Sequence, residues 1–395
     1  MNALVGTALV GLVYLLGREL FQRRIGAGLA SLFVAIDGLF LVDSRIAVID
    51  IHYVTWAVLA YILVLRLVRQ GHFQSTPRLL LIGAVLGLSV GSKLYIPFFS
   101  FLLVLATIAV TGWTEAKKRD VAPVRFLARP ILVVGWTAFG IYVSTYTPHF
   151  LWGWWHSPVD LVRYIFVEVP NYQSAVAEAT HPYSSKWYTW PLLLRPVWYF
   201  WKDPGPTPGT VIGIWGAGNP AIWWAAVPAL ALTAWHAARE RTLVAGFIIA
   251  GWIIHLAPWV GIGRTLFLYH YLPSLLFAFL ALAWLLDRIW HAEGSKVERS
   301  LAGTALLASL FPVITAVSDT SGAVALGLAA MVYPWLVFSG RAEPARLGRT
   351  AVGAYAIAVL WISWYFLPIW LGTPVSKQLW EARMWISTSG IVNWI

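Results

Sequence analysis

His181-Pro-Tyr-Ser-Ser-Lys-Trp-Tyr-Thr-Trp-Pro-Leu-Leu-Leu-Arg195, followed closely by Trp198-Tyr-Phe-Trp201, lies in the one long interval of this 395-residue chain that is not a plain hydrophobic span. The interval runs from Tyr146 to Pro220 and is aromatic, proline-rich and sparsely charged. Loops this long inside a compact protein are usually functional. Trp and Tyr offer flat stacking surfaces, and His, Lys and Arg offer contacts to phosphate or hydroxyl groups. The stretch therefore suits a site that grips a polar head group beside lipid.

Outward from this interval the chain is apolar in both directions. It is 59% hydrophobic and only 11% charged, against roughly 25% charged for soluble domains, and its mean hydropathy is +0.71. Apolar windows recur at about 3–17, 25–42, 50–66, 79–92, 94–111, 131–147, 221–237, 242–259, 271–287, 301–317, 323–339 and 350–367. Each is long enough, or nearly so, to cross a hydrocarbon core of ~30 Å as a helix, the only unpaired segment that satisfies its own backbone in lipid. The fold expected is an all-α polytopic membrane protein of about 12 spans. Its parts would be N-terminal transmembrane helices (1–145), an extracytoplasmic loop with short interfacial helices (146–220), C-terminal transmembrane helices (221–367) and an extracytoplasmic tail (368–395). There is no cysteine, which excludes disulfides and thiolate metal sites.

Twelve spans place the loops alternately on two sides, and the charge sorts with them. One side receives nineteen of the 28 Lys and Arg and eight of the 17 acids, so the whole net charge of +11 lies there. The positive-inside rule makes that side cytoplasmic and both termini extracytoplasmic, as in a multi-pass protein of the cell inner (plasma) membrane. The basic excess is thus read as topology, and no nucleic-acid partner is expected.

The charges left near the outer boundary are costly and so are candidates for function. Asp37-Gly-Leu-Phe-Leu-Val-Asp-Ser-Arg-Ile-Ala-Val-Ile-Asp50 carries three acids and Arg45 between two spans. An ion pair between Arg45 and Asp50 that pins the outer turn is one reading of it. Lys93 stands at the next outer turn, where a lysine that only snorkels to the interface is the plainer reading. Arg264, Tyr269 and His270 gather at a later span entrance, and Trp223 and Trp224 read as architecture. No phosphate-cradling Gly-rich loop, zinc-type His pair or Gly-x-Ser-x-Gly elbow is present, and no outer loop carries Asp-x-Asp. No metal and no cofactor are therefore expected. A transporter would place paired broken helices at mid-membrane, whereas the polar residues here collect at one boundary.

Taken in order, Asp37 with Ser44-Arg45 and Asp50, Gly91-Ser-Lys93, His181-Pro-Tyr-x-Ser-Lys-Trp-x-x-Trp-Pro191, Gly218-Asn-Pro-x-x-Trp-Trp224, Tyr269-His-Tyr-Leu-Pro273 and Arg383-Met-Trp385 resemble the protein O-mannosyltransferase family. These are inverting membrane transferases of the GT-C class, here in the bacterial style. The resemblance implies transfer of mannose from a polyprenyl phosphate donor to Ser or Thr hydroxyls of exported proteins. Partners would be the polyprenyl-phosphate-linked sugar, the exported acceptor and membrane lipids. It implies that Arg45, Lys93 and Arg264 hold the donor phosphate, and that His181, Tyr183, Lys186, Trp187, Arg195, Tyr269 and His270 line the sugar and acceptor pocket.

Family members open with one more span and a first outer loop bearing an Asp-Glu pair. This chain starts at what resembles the second span and adds a hairpin at 301–339. The catalytic acid is thereby left unassigned, with Asp50 as its candidate. Three accounts stand beside each other: a true start that lies upstream of Met1, a split enzyme completed by a second chain or a larger membrane complex, and a degenerate, inactive copy kept as a structural subunit.

Overall fold

The computed structural model describes residues 1–93, 95–175, 179–317, 320–386 and 394. Each of the twelve apolar windows contains a helix, although 25–42 and 301–317 are each broken, at Asp37 and Leu310: α1 (Asn2–Phe21), α2 (Arg24–Ile36), α3 (Asp50–Arg69), α4 (Thr76–Ser92), α5 (Ile96–Lys118), α6 (Pro123–Ser144), α7 (Pro220–Glu240), α8 (Leu243–Leu256), α9 (Leu272–Trp290), α10 (Lys296–Ser309), α11 (Thr320–Ser339) and α12 (Pro344–Leu371). Among the described residues nine helical segments are long and apolar enough to cross a bilayer, and α2, α4 and the apolar part of α11 are shorter.

The hub is α9. Its segment is buried over 94% of its most apolar window, and it touches α2, α3, α7, α8 and α12. Such a helix is apolar all round because protein, not lipid or water, covers every face. Around it α1, α2 and α3 pack as one group and α4, α5 and α6 as another.

A buried acid explains why α2 is short. Asp37 caps the next helix, Gly38–Asp43, by accepting from the amides of Leu39 (3.1 Å) and Phe40 (3.3 Å). Its other oxygen accepts from the Asn219 amide at 2.9 Å and the Trp223 indole at 2.7 Å. Asn219 in turn caps α7 through Ala221 and donates to the Val359 carbonyl (2.9 Å) and the Ser363 hydroxyl (2.7 Å). One carboxylate thus joins the ends of α2 and α7 and, through Asn219, the middle of α12, and a carboxylate with four N–H donors tolerates full burial. Two glycines make the approach feasible: a Cβ on Gly38 would strike Trp370 and the Ala217 carbonyl, and one on Gly218 would strike Trp223.

The long interval departs from the all-α expectation, for it holds a β-hairpin as well as short helices. β1 (Val197–Lys202) pairs antiparallel with β2 (Thr210–Gly216), with an irregularity between Trp198 and Phe200, and β2 also pairs with β3 (Val375–Ser376) from the tail. The strands are built from aromatic and β-branched residues around a Pro/Gly-rich turn, the composition that favours a half-buried hairpin. The tail packs into the protein instead of lying only on a surface. Trp394 is buried, donates its indole N–H to the Leu193 carbonyl at 2.8 Å and accepts from the Trp198 indole at 2.9 Å.

Candidate active site

At the hairpin end of the bundle, Asp50 opens α3 and Lys93 follows the last residue of α4. Their side chains meet: Lys93 Nζ lies 2.7 Å from Asp50 Oδ1, and the Asp50 side chain is only 4% exposed. Lys93 is therefore an ion-pair partner and not a snorkelling lysine. Its ammonium also lies 5.7 Å from the Tyr53 ring and 5.9 Å from the Tyr269 ring. Two aromatic faces and one carboxylate fix the cation in place.

A second acid stands beside this pair. Asp43 is fully buried and accepts from the Tyr199 hydroxyl of β1 at 3.0 Å, while its Oδ2 has no partner among the described residues. Burial, and next the neighbouring Asp50 carboxylate, hold the Asp43 carboxyl well above the usual carboxylate range. The Tyr199 hydroxyl is raised as well, by burial first and then by Asp43. The Tyr199 ring stacks on Tyr269, and Tyr269 stacks on Phe267, so the hairpin reaches the site through a row of rings.

Two grooves adjoin this cluster. One, of about 690 Å³, is lined by Lys93, Tyr95, Phe99, Trp259 and Arg264 among others. The other, of about 730 Å³, is lined by His181, Lys186, Trp187, Arg195 and Arg264. Trp259, Ile262 and Arg264 belong to both. No acid lies within ion-pair distance of Arg264 among the described residues.

The second groove holds its shape through contacts far apart in sequence. The Ser185 amide donates to the Leu266 carbonyl at 2.8 Å, and the Thr265 hydroxyl donates to the Ala179 carbonyl. The Trp190 indole returns to the Ser185 hydroxyl at 2.8 Å. His181 meets Phe267 edge-on at 5.0 Å, and its Nδ1 accepts from the Tyr183 amide. Arg195 donates to the Pro182 carbonyl at 2.6 Å, which braces the strand of chain that carries His181. His270 is buried between Trp259, Tyr269 and Trp190, with Nδ1 3.0 Å from the Phe267 backbone.

Of the eleven residues singled out from sequence, the structure gathers Asp50, Lys93, Arg264, Tyr269 and His270 at one place, with His181, Lys186, Trp187 and Arg195 along the adjoining groove and the Tyr183 ring beside His181. Arg45 lies elsewhere. It donates to the carbonyls of Trp370 (3.1 Å) and Leu371 (3.3 Å) at the end of α12 and lines a separate cavity against α1 and α2. No ion pair joins Arg45 and Asp50 in this structure. Asp43, Tyr53 and Tyr199 were not singled out. Asp43 stands in the charged string already quoted and Tyr199 in Trp-Tyr-Phe-Trp, but only their contact across the fold marks them.

Comparison with known proteins agrees with this architecture over the whole chain. The family model described as dolichyl-phosphate-mannose-protein mannosyltransferase matches residues 1–152. The model of the C-terminal four-transmembrane region of protein O-mannosyltransferase matches residues 165–389. Among relatives, a polyprenol-phosphate-mannose–protein mannosyltransferase of Mycolicibacterium smegmatis (strain MKD8) is 26% identical, with 76% of this chain and 68% of the relative aligned. One from Mycobacterium tuberculosis (strain CDC 1551 / Oshkosh) is 24% identical, with 98% of this chain and 75% of the relative aligned. In fold, the Pmt1-Pmt2 protein O-mannosyltransferase complex of S. cerevisiae, solved with its sugar donor, superposes with a TM-score of 0.70 at 12% identity, covering 98% of this chain and 80% of that one. With both family models filling nearly its full length on a GT-C-like helical bundle, this chain belongs to the protein O-mannosyltransferase family.

Proposed function

We propose that the protein is an inverting, metal-independent glycosyltransferase that moves mannose from a polyprenyl phosphate to Ser or Thr hydroxyls of exported proteins. The observation that carries the reading is the position of Arg264: it lines both grooves and has no acid partner among the described residues. The basic end of the bundle is then cytoplasmic, and the hairpin end, with both termini, extracytoplasmic.

In this reading the donor phosphate lies in the groove of Lys93 and Arg264, with its prenyl chain leaving along Ile96 and Phe99. The acceptor segment lies along His181 to Trp187. The acceptor oxygen forms a bond to the anomeric carbon from the face opposite the phosphate. The carbon–oxygen bond to phosphate breaks, and its electron pair leaves on the polyprenyl phosphate. Charge grows on that phosphate as the bond breaks, so cations fixed at its oxygens lower the barrier. The hydroxyl proton needs a base, typically worth about 10² to 10⁴ in rate. Asp50 is the candidate, as the carboxylate held against groove-lining Lys93.

The test is sugar transfer by the purified full chain, given labelled polyprenyl phosphomannose and a Ser/Thr-rich peptide, beside Arg264→Gln and His181→Ala variants. Loss of transfer in folded Arg264→Gln is the expected result. Undiminished transfer in that variant, or no transfer by the folded native chain, would overturn the assignment.

A further inference from the structure

Between the basic ends of α7, α9 and α10 lies a cavity of about 620 Å³ that the transfer reaction does not use. Its inner wall is apolar and comes from all three helices: half-buried Leu232, and buried Leu285 and Ala302. At its rim Trp235, Val297 and Leu301 are 38%, 55% and 56% exposed. Large apolar side chains left uncovered on a membrane bundle face lipid, so the cavity opens toward the bilayer.

Its polar wall carries Arg239, Arg288, Arg299, Glu240, Glu293 and Glu298, three charges of each sign. They are not all equally committed. Glu293 is held by Arg23 at 2.5 Å and by Arg288 at 3.5 Å. Arg299 donates to the Ala292 carbonyl at 2.8 Å. Arg239 lies over the Trp235 ring at 5.2 Å and has no acid partner among the described residues. Glu240 Oε1 lies 2.7 Å from Nδ1 of buried His236 and 4.0 Å from Arg288, and Glu298 Oε2 accepts from the Ser295 amide at 2.7 Å, so each carboxylate offers its second oxygen to a ligand; ligand atoms of Glu240, Glu298 and His236 all lie within 4.8 Å of one another.

A simple anion in this cavity would meet the carboxylates, and a simple cation would meet the guanidinium groups. A molecule with an apolar tail, a phosphate and a primary ammonium satisfies every wall. We propose that the cavity binds the head group of a zwitterionic aminophospholipid from the leaflet at the basic end. The phosphate pairs with Arg239, the ammonium donates to Glu240 and Glu298, and an acyl chain follows the seam between α7 and α10. Head-group pockets between transmembrane helices are a known mode of lipid recognition. Here the balance of charge selects the class. A phosphatidylcholine head group has no N–H to donate to the carboxylates, and phosphatidylglycerol has no cation.

The experiment is native mass spectrometry of the delipidated full chain, offered equal amounts of phosphatidylethanolamine, phosphatidylcholine and phosphatidylglycerol. Retention of phosphatidylethanolamine about tenfold above the other two is expected, the value of one hydrogen bond to a charged group. Arg239→Ala should lower that retention, and the near-isosteric Glu240→Gln should erase the preference over phosphatidylcholine. Melting temperature serves as the check on folding. Equal retention of all three lipids, preference for phosphatidylglycerol, or retention unchanged in both variants would overturn the proposal, leaving only annular lipid or an anion site.

Discussion

Separating Asp50 from Lys93 tests whether the pair is one energetic unit at the site. At 2.7 Å, with side chains 4% and 23% exposed, the contact is more buried than a surface ion pair and less than a core one. Two unit charges near a protein surface attract by about 4 kcal/mol at 4 Å, and removal of one partner from a buried pair costs about 3–5 kcal/mol. Asp50→Asn leaves an ammonium that solvent still reaches, so a loss of about 2–3 kcal/mol is expected after the discount for screening. Lys93→Met leaves a nearly inaccessible carboxylate and should cost more, about 3–5 kcal/mol. The double variant removes both charges and should lose less than the sum, with a coupling of about 2 kcal/mol. Unfolding of the detergent-solubilised variants gives all three stabilities, and transfer assays on the same samples give rates. If the single effects add to within about 0.5 kcal/mol, the pair is not coupled and the reasoning fails. If folded Asp50→Asn keeps the native transfer rate, instead of falling about 10² to 10⁴-fold, Asp50 is not the base.

Arg45→Ala should cost about 1–3 kcal/mol through lost hydrogen bonds to the Trp370 and Leu371 carbonyls, with the KM for donor unchanged; a large rise in that KM would return Arg45 to the phosphate. Asp43 is an acid with a raised folded pKa, so its contribution to stability is fully present below the unfolded value of about 3.9 and is lost as pH rises through the folded one. Asp43→Asn should therefore raise the melting temperature at neutral pH, with the gain shrinking below about pH 4, and equal shifts at both pH values would refute this. Trp394→Ala removes a fully buried indole and its hydrogen bond to the Leu193 carbonyl. It should cost about 3–5 kcal/mol in the same unfolding assay, and a change under 1 kcal/mol would show that the tail does not brace the hairpin.

How far the sequence reached follows from what each constraint acts on. A bilayer forces every span to carry its own length of apolar residues, so twelve windows could be placed without knowing any contact. The error in the second window has a local cause: hydropathy carries it to 42, whereas Asp37 ends the helix at Ile36 by capping the next one. The hairpin escaped because its marker residues, Trp, Tyr and Phe, are common throughout this chain, and alternation over six or seven residues is faint against that background. The tail's packing is out of reach of local sequence, because the partners of Trp394 lie about two hundred positions away. Asp50 and Lys93 each drew notice as charges at a costly depth. Their contact, 43 residues apart, comes only from the packing of α3 against α4.

The same packing decides which charge is left for a substrate. Lys93 is offset by Asp50, and the buried Asp43 carboxyl beside them accepts from the Tyr199 hydroxyl. Arg195 is turned toward the Pro182 carbonyl and Arg45 toward the end of α12. Arg264 differs from all of these, because it lines both grooves and has no acid beside it among the described residues. A phosphate entering from the lipid side and an acceptor entering along His181 would meet at that guanidinium. The Trp259 ring lines both grooves beside it. In the proposed reading, a guanidinium with no acid partner among the described residues answers charge that appears only as the sugar–phosphate bond breaks, which is the condition for faster chemistry and not merely tighter binding.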